Sequence, residues 1–346
     1  MNEQHPSQKT PKRPAGVVSC LSTGFEIVAH HPQLALLPAL LDLYLWLGPR
    51  LSLAPLIAAT RQLWAEVPSP EMAPIYQTFN QLLDELATKY NLFALLKPAP
   101  FLGVPALMAE RLTLARPFGP RPELPVSDPG TALAWICVLV GVGLGLNALY
   151  LWQVGRRVVS ETETAVPGPV GPVKLWGNLL RLTVLLLAIF FILAIPGSIA
   201  LLILGAIAAT IAALFLMLAL SLVFFVIFHL VYTVPGIVQL RQPPLQALRD
   251  SIILARVDPL GTTSLVLALL VISQGLNFIW TLPDPATWAT VVGIAGHAIV
   301  STALTATVLV FYQERLVQLQ TLQRAYTALS EPAQDAAQAA HSHADT

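Results

Sequence analysis

Apolar residues come in long blocks along this chain, and short polar, proline- or glycine-bearing joints separate the blocks. Between Arg181 and Arg241 there is no Asp, Glu, Lys or Arg. At about 1.5 Å per helical residue against roughly 30 Å of hydrocarbon, that run is long enough to cross a bilayer at least twice. Pro196-Gly197 is the strong breaker pair inside it and predicts two crossings, over residues 175–195 and 198–232. Four more blocks predict crossings over residues 33–47, 131–153, 260–282 and 288–312, the last two joined by a tight turn at Pro283 to Pro285. The predicted fold is all-α: a polytopic membrane bundle of about six transmembrane helices, with interfacial amphipathic helices and a helical outer loop. Residues 1–16 read as a disordered tail and 17–312 as the membrane bundle. Residues 313–346 read as an inner C-terminal helix with an Ala-rich tail.

Charge placement sets the expected orientation. With both termini inside, the inner side receives Lys9, Lys12, Arg13, Arg156, Arg157, Lys174 and Arg181, then Arg241, Arg249, Arg256, Arg315 and Arg324. The two short outer turns then carry no Lys or Arg, which is the bias that orients membrane proteins. An inner Pro/Gly linker occupies residues 158–174 and an outer loop residues 51–130. Within that loop Ile75, Phe79, Leu82, Leu83, Leu86, Tyr90 and Phe93 recur at helical spacing, and Pro105 opens a second short helix through Leu114. The loop is expected to lie as a cap on the outer face, or to serve as a lid or partner platform. The expected location is the plasma membrane with both ends cytoplasmic. The N-terminal tail is too polar for a cleaved signal peptide, so the first crossing reads as a retained anchor.

Composition agrees with a membrane class. Of 346 residues 55% are hydrophobic and 11% charged, with mean hydropathy +0.68; soluble chains carry about a quarter charged residues. A net charge of zero and the lack of a basic stripe argue against a nucleic-acid partner. Cys20 and Cys137 fit neither a disulfide framework nor a zinc site. His30-His31, His341 and His343 lack ligand companions at metal spacing, and no cofactor is expected.

Two stretches share a plan. Leu21, Phe25 and Val28 form an apolar stripe before Pro32 and a crossing; Leu245, Leu248, Ile252 and Ala255 form another before Pro259 and a crossing. The two enter from the same side, so the repeat is parallel. The segment PGIVQLRQPPLQALRDSIILARVDPLG, with the hairpin ending in FYQER, resembles a broad group of bacterial six-helix membrane proteins. That group includes the membrane domain found beside some glycerophosphodiester phosphodiesterases. The resemblance covers the C-terminal third, the first crossing loosely and the outer loop not at all. Members often have an acidic residue near the position of Gln239 or Leu240, which this chain lacks. The resemblance implies a fold and no activity, because these residues contain no phosphodiesterase domain.

Ionisable groups inside hydrocarbon are functional candidates by default. Asp42 and His297 both fall near the middle of predicted crossings, and a buried pair of this kind relays a proton or holds a cation. The plainer reading gives each one polar contact inside the bundle; Asp42→Asn is then tolerated. Asn147, Gln274 and Asn277 read as interhelical hydrogen-bonding groups. Gly141 and Gly145 have the small-xxx-small spacing that lets two membrane helices pack closely, within this chain or against a second copy. The chain contains no HExxH, GxSxG or Walker loop. The expected function is a non-catalytic membrane module that binds lipid or assembles with a protein partner or a second copy. The alternative is a small-solute or ion permease using Asp42 and His297.

Overall fold

The computed structural model describes residues 15–64, 73–97, 103–111, 115–162 and 166–344. The expected tail, Leu114 and residues 163–165 of the linker lie wholly or largely outside them. Helix α1 spans Val17–His30, and a 3-10 turn at Pro32–Ala35 leads into α2, Leu36–Leu47. Strand β1 (Arg50–Ser52) is followed by α3 (Ala54–Trp64), α4 (Ala73–Lys89), a 3-10 segment at Leu92–Leu96 and the single turn α5 (Leu107–Glu110). Strand β2 (Glu123–Pro125) pairs with β1 in parallel, Leu51 opposite Leu124. The long helices are α6 (Pro129–Thr162), α7 (Pro172–Ile207) and α8 (Ala209–Leu230). The short α9 (Thr233–Gln239) and α10 (Pro244–Val257) precede α11 (Pro259–Trp280) and α12 (Thr290–Ala344).

Among the described residues five helices, α6, α7, α8, α11 and α12, are long and apolar enough to cross a membrane. The strongest sign of hydrocarbon is the α7–α8 hairpin. Leu175, Leu179 and Leu182 of α7 are buried. Beyond them, no described residue is buried until Tyr232. A helix apolar on every face and uncovered by protein needs lipid around it. The chain is a membrane protein.

Two expected crossings differ in detail. The α7–α8 break falls at Ala208, extended at φ −161° and ψ 125°, and not at Pro196-Gly197. Pro196 stays inside α7, where the Ser198 hydroxyl donates to the Ile195 carbonyl at 2.8 Å. Local side-chain bonds of this kind, with no water competing for the backbone, let a proline sit within a membrane helix. The first expected crossing, residues 33–47, is a 3-10 turn plus twelve helical residues. On its own it is shorter than a transmembrane helix.

The core is built around α12, buried continuously from Thr302 to Gln313. Helix α1 packs on it through small residues: a Cβ added to Gly24 would lie 2.7 Å from the Ala303 carbonyl oxygen. The Ala15 amide meets Glu314, and Arg315 pairs with Asp258 at 3.0 Å with its guanidinium over the Phe311 ring. His31 meets Glu161 at 3.0 Å. These bonds gather the N-terminal helix, the end of α6, the start of α11 and the middle of α12 at one end of the bundle, the terminal end. At the other, the loop end, the Trp46 indole donates to the Pro285 carbonyl, and Trp288 contacts Trp46 and Phe118 edge-on.

The internal repeat is visible in the packing. Helices α1 and α10 have 14 residues each. Each buried position of α1 has a buried counterpart in α10, Cys20 with Ala247, Gly24 with Ser251, Ile27 with Leu254 and Val28 with Ala255, while α10 also buries Pro244. Each ends in nearly the same backbone geometry, at His31 (φ −129°, ψ 62°) and Asp258 (φ −130°, ψ 73°), immediately before a proline. The buried face is turned from the stripes read in sequence, since Phe25 and Leu245 are exposed. Small residues at the contact let the backbones close in, so bulk is displaced to the flanks.

Candidate functional site: a groove lined by a re-entrant segment

The outer loop does more than cap the bundle. From Leu92 to Ala109 its only charged residue is Lys97. Asn91 starts the descent: its side-chain oxygen accepts from the amides of Leu51 and Phe93. Phe93 then stacks edge-on between Tyr44 and Trp135. Leu96 reaches Gly143, midway along the apolar part of α6, where an added Cβ would be 2.7 Å from the Leu96 carbonyl oxygen. Non-helical backbone is tolerated at such depth only where protein buries it or a cavity receives it. Both conditions hold here: Leu92, Phe93 and Leu96 are buried, and Leu95 and Lys97 line a cavity.

Asp42 holds the returning arm. It is fully buried, and its two carboxylate oxygens accept from the backbone amides of Leu107 and Met108 at 2.9 and 2.7 Å. These are the first amides of α5, which have no helical partner of their own. Asp42 therefore fixes α5, and α5 carries Glu110, which pairs with Lys97 from the descending arm.

Arginines close the loop end. Arg111 donates to the Thr281 carbonyl, Arg116 to that of Leu47, Arg121 to that of Trp46 and Arg50 to those of Ala87 and Tyr90. Each thereby satisfies carbonyls at a helix C-terminus, where a cation also meets the favourable end of the dipole. Burial lowers the pKa of both Arg111 and Arg121; neighbouring Arg116 and Arg50 add to the shift at Arg121.

Between the re-entrant segment, α11 and α12 lies a cavity of about 640 Å³. Along α11 and α12 the loop-end part of its lining is polar, with Asn277, Gln274 and His297, and Lys97 and Glu110 face it from the re-entrant segment. Toward mid-bundle it turns apolar, with Leu95, Leu269, Leu304 and Val308, relieved by Ser301 and Thr305. From His297 to Val308 the wall runs roughly 16 Å along α12 at the helical rise.

The two residues singled out in sequence are not brought together. His297 lines the groove, its Nδ1 3.5 Å from the Ser301 hydroxyl and its buried Nε2 without a partner among the described residues. Asp42 does not line it and is spent on α5. Gln274 and Asn277 face the groove, and the Asn277 side-chain oxygen has no partner among the described residues, so the expected interhelical bond from it is not made. Asn147 is buried in α6 with its oxygen likewise unmatched. The tight approach to α6 is at Gly143. An added Cβ at Gly141 meets nothing within 4 Å, and at Gly145 only the Trp176 ring at 3.9 Å. The Trp176 indole donates to the Gly141 carbonyl at 3.0 Å. Lys97 and Glu110 went unread because an apolar, proline-broken run looks like surface loop. Its single charge in eighteen residues was the available signal.

Comparisons of this chain with protein-family models, with curated proteins and with solved structures return no match.

Proposed function

We propose that the protein is a non-catalytic, multi-pass membrane module that binds a membrane lipid in this groove. One observation carries the reading: along α11 and α12 the groove lining passes from polar Asn277, Gln274 and His297 near the loop end to apolar Leu269, Leu304 and Val308 toward mid-bundle. That gradient matches an amphiphile whose head sits near the interface and whose chain runs inward; it suits a wholly polar solute poorly. Glu110 and Gln274 are exposed at its edge, so a lipid has lateral access. The resemblance to six-helix bacterial membrane domains, which implies a fold without an activity, agrees with this proposal. The permease reading stands second. It needs Asp42 and His297 to act together, and both Asp42 oxygens are held by α5 amides.

Filling the groove tests the reading. Ser301→Phe and Ser273→Phe each place a ring among its walls, whereas Leu214→Phe changes an exposed position on α8. Native mass spectrometry of purified protein should show a retained lipid in the wild type and Leu214→Phe that is lost from the filled variants. Equal lipid retention in filled variants that melt like the wild type would overturn the proposal.

The orientation proposed with it places the loop end outside the cell and both termini in the cytoplasm of a plasma membrane, on the Lys and Arg distribution. In a background lacking Cys137, single cysteines at Thr88 and Ser160 should label from opposite sides of intact cells. Cys20 does not interfere: burial pushes its thiol pKa up to about 11, so it stays a protonated, unreactive thiol at neutral pH. Labelling of both positions from outside would end this orientation.

A further inference from the structure

Resting on the lipid reading, we infer that the groove selects a zwitterionic phospholipid with a primary ammonium group, its phosphate held by Lys97 and its ammonium by Glu110. These two residues come from opposite arms of the re-entrant segment and face the same cavity as an ion pair. Both are reachable: the Lys97 side chain is 23% exposed and that of Glu110 50%. Lys97 has three N–H donors, of which Glu110 takes one.

Among the described residues the remaining polar lining, Ser273, Gln274, Asn277, His297, Ser301 and Thr305, contains no further Asp, Glu, Lys or Arg. A headgroup therefore meets one positive and one negative side chain. A net anion finds Lys97 already neutralised and Glu110 repelling it. A zwitterion replaces one internal pair by two pairs of correct sign, so both charges remain matched. The loop-end arginines Arg111, Arg116 and Arg121 are not among the described lining residues, and each donates to a helix carbonyl. The choice of a primary over a quaternary ammonium follows from the walls. Quaternary groups are bound in cages of several aromatic rings, and Tyr90 is the single aromatic side chain among the described lining residues. A primary ammonium instead donates hydrogen bonds directly to Glu110.

The full-length protein in detergent micelles is offered equal amounts of phosphatidylethanolamine, phosphatidylcholine, phosphatidylglycerol and uncharged diacylglycerol, and bound lipid is read by native mass spectrometry. Phosphatidylethanolamine should exceed each of the others by about fivefold, the factor that roughly 1 kcal/mol of ion pairing supplies. Glu110→Gln should reverse the order in favour of phosphatidylglycerol, and Lys97→Gln should remove the preference for phosphate-bearing lipids. Wild-type protein that prefers phosphatidylglycerol or diacylglycerol would overturn the inference, as would an order unchanged in Glu110→Gln. The groove-filling variants separate the two claims: lipid lost from Ser301→Phe with an order unchanged in Glu110→Gln sinks headgroup selection alone. Lipid retained in Ser301→Phe sinks the lipid site itself.

Discussion

Asp42→Asn is expected to destabilise the protein markedly, by about 2–4 kcal/mol, the loss of one charge-assisted hydrogen bond plus one stranded buried donor. From sequence this exchange is tolerated, because an amide has the shape of a carboxylate. The geometry reverses that expectation. Both Asp42 oxygens accept from backbone N–H groups, those of Leu107 and Met108, in a fully buried site. An asparagine offers one oxygen and one NH2, so an N–H faces an N–H at one of the two positions. Thermal melting in detergent, with hydrogen exchange at Leu107 and Met108, measures the effect; Asp128→Asn, at an exposed cap on the Thr131 amide, is the control and should change little. A melting temperature equal to wild type in Asp42→Asn would show that the carboxylate does not hold α5. Because α5 carries Glu110, lipid retention should fall together with stability.

The second large effect belongs to Gly143. Its missing side chain admits the carbonyls of Leu95 and Leu96, and an added Cβ would stand 3.0 and 2.7 Å from their oxygens. Backbone carbonyls do not rotate aside as a side chain does, so Gly143→Ala must push the descending arm away from α6. Such overpacking costs about 1–3 kcal/mol. Gly141→Ala, two residues along the same helix, meets open space. It gains up to about 1 kcal/mol from helix propensity. The paired variants should therefore move melting temperature in opposite directions, or leave Gly141→Ala unchanged. Equal losses at both positions would refute the close approach at Gly143. Lys97 directly follows Leu96, so the Gly143 variant should also weaken lipid retention.

Part of this architecture is legible along the chain because membrane burial is set by local composition. A helix such as α8 needs no tertiary partner to be recognised: its residues are apolar all round, and hydrocarbon is the solvent that accepts them. The repeat of α1 and α10 is readable for a similar reason, since the amphipathic stripe and following proline are local signals. The break between α7 and α8 is less so. Proline marks a turn in water, but here Pro196 stays within α7, where the Ser198 hydroxyl bonds the Ile195 carbonyl, and the chain turns at Ala208 instead.

The groove lies beyond what periodicity reaches. Sequence alone determined that this is a helical membrane protein built from long apolar segments, and that Asp42 and His297 sit where ionisable groups are costly. Tertiary structure decided which of them meets the cavity. It sent Asp42 to the amides of α5, left His297 on the wall, and joined Lys97 to Glu110 across a segment with no regular pattern. The physical reason is that hydrophobic transfer is additive along the chain and readable from composition. The pairing of a few buried polar groups, by contrast, depends on which backbones approach within 3 Å, and that is fixed only when all the helices are packed together.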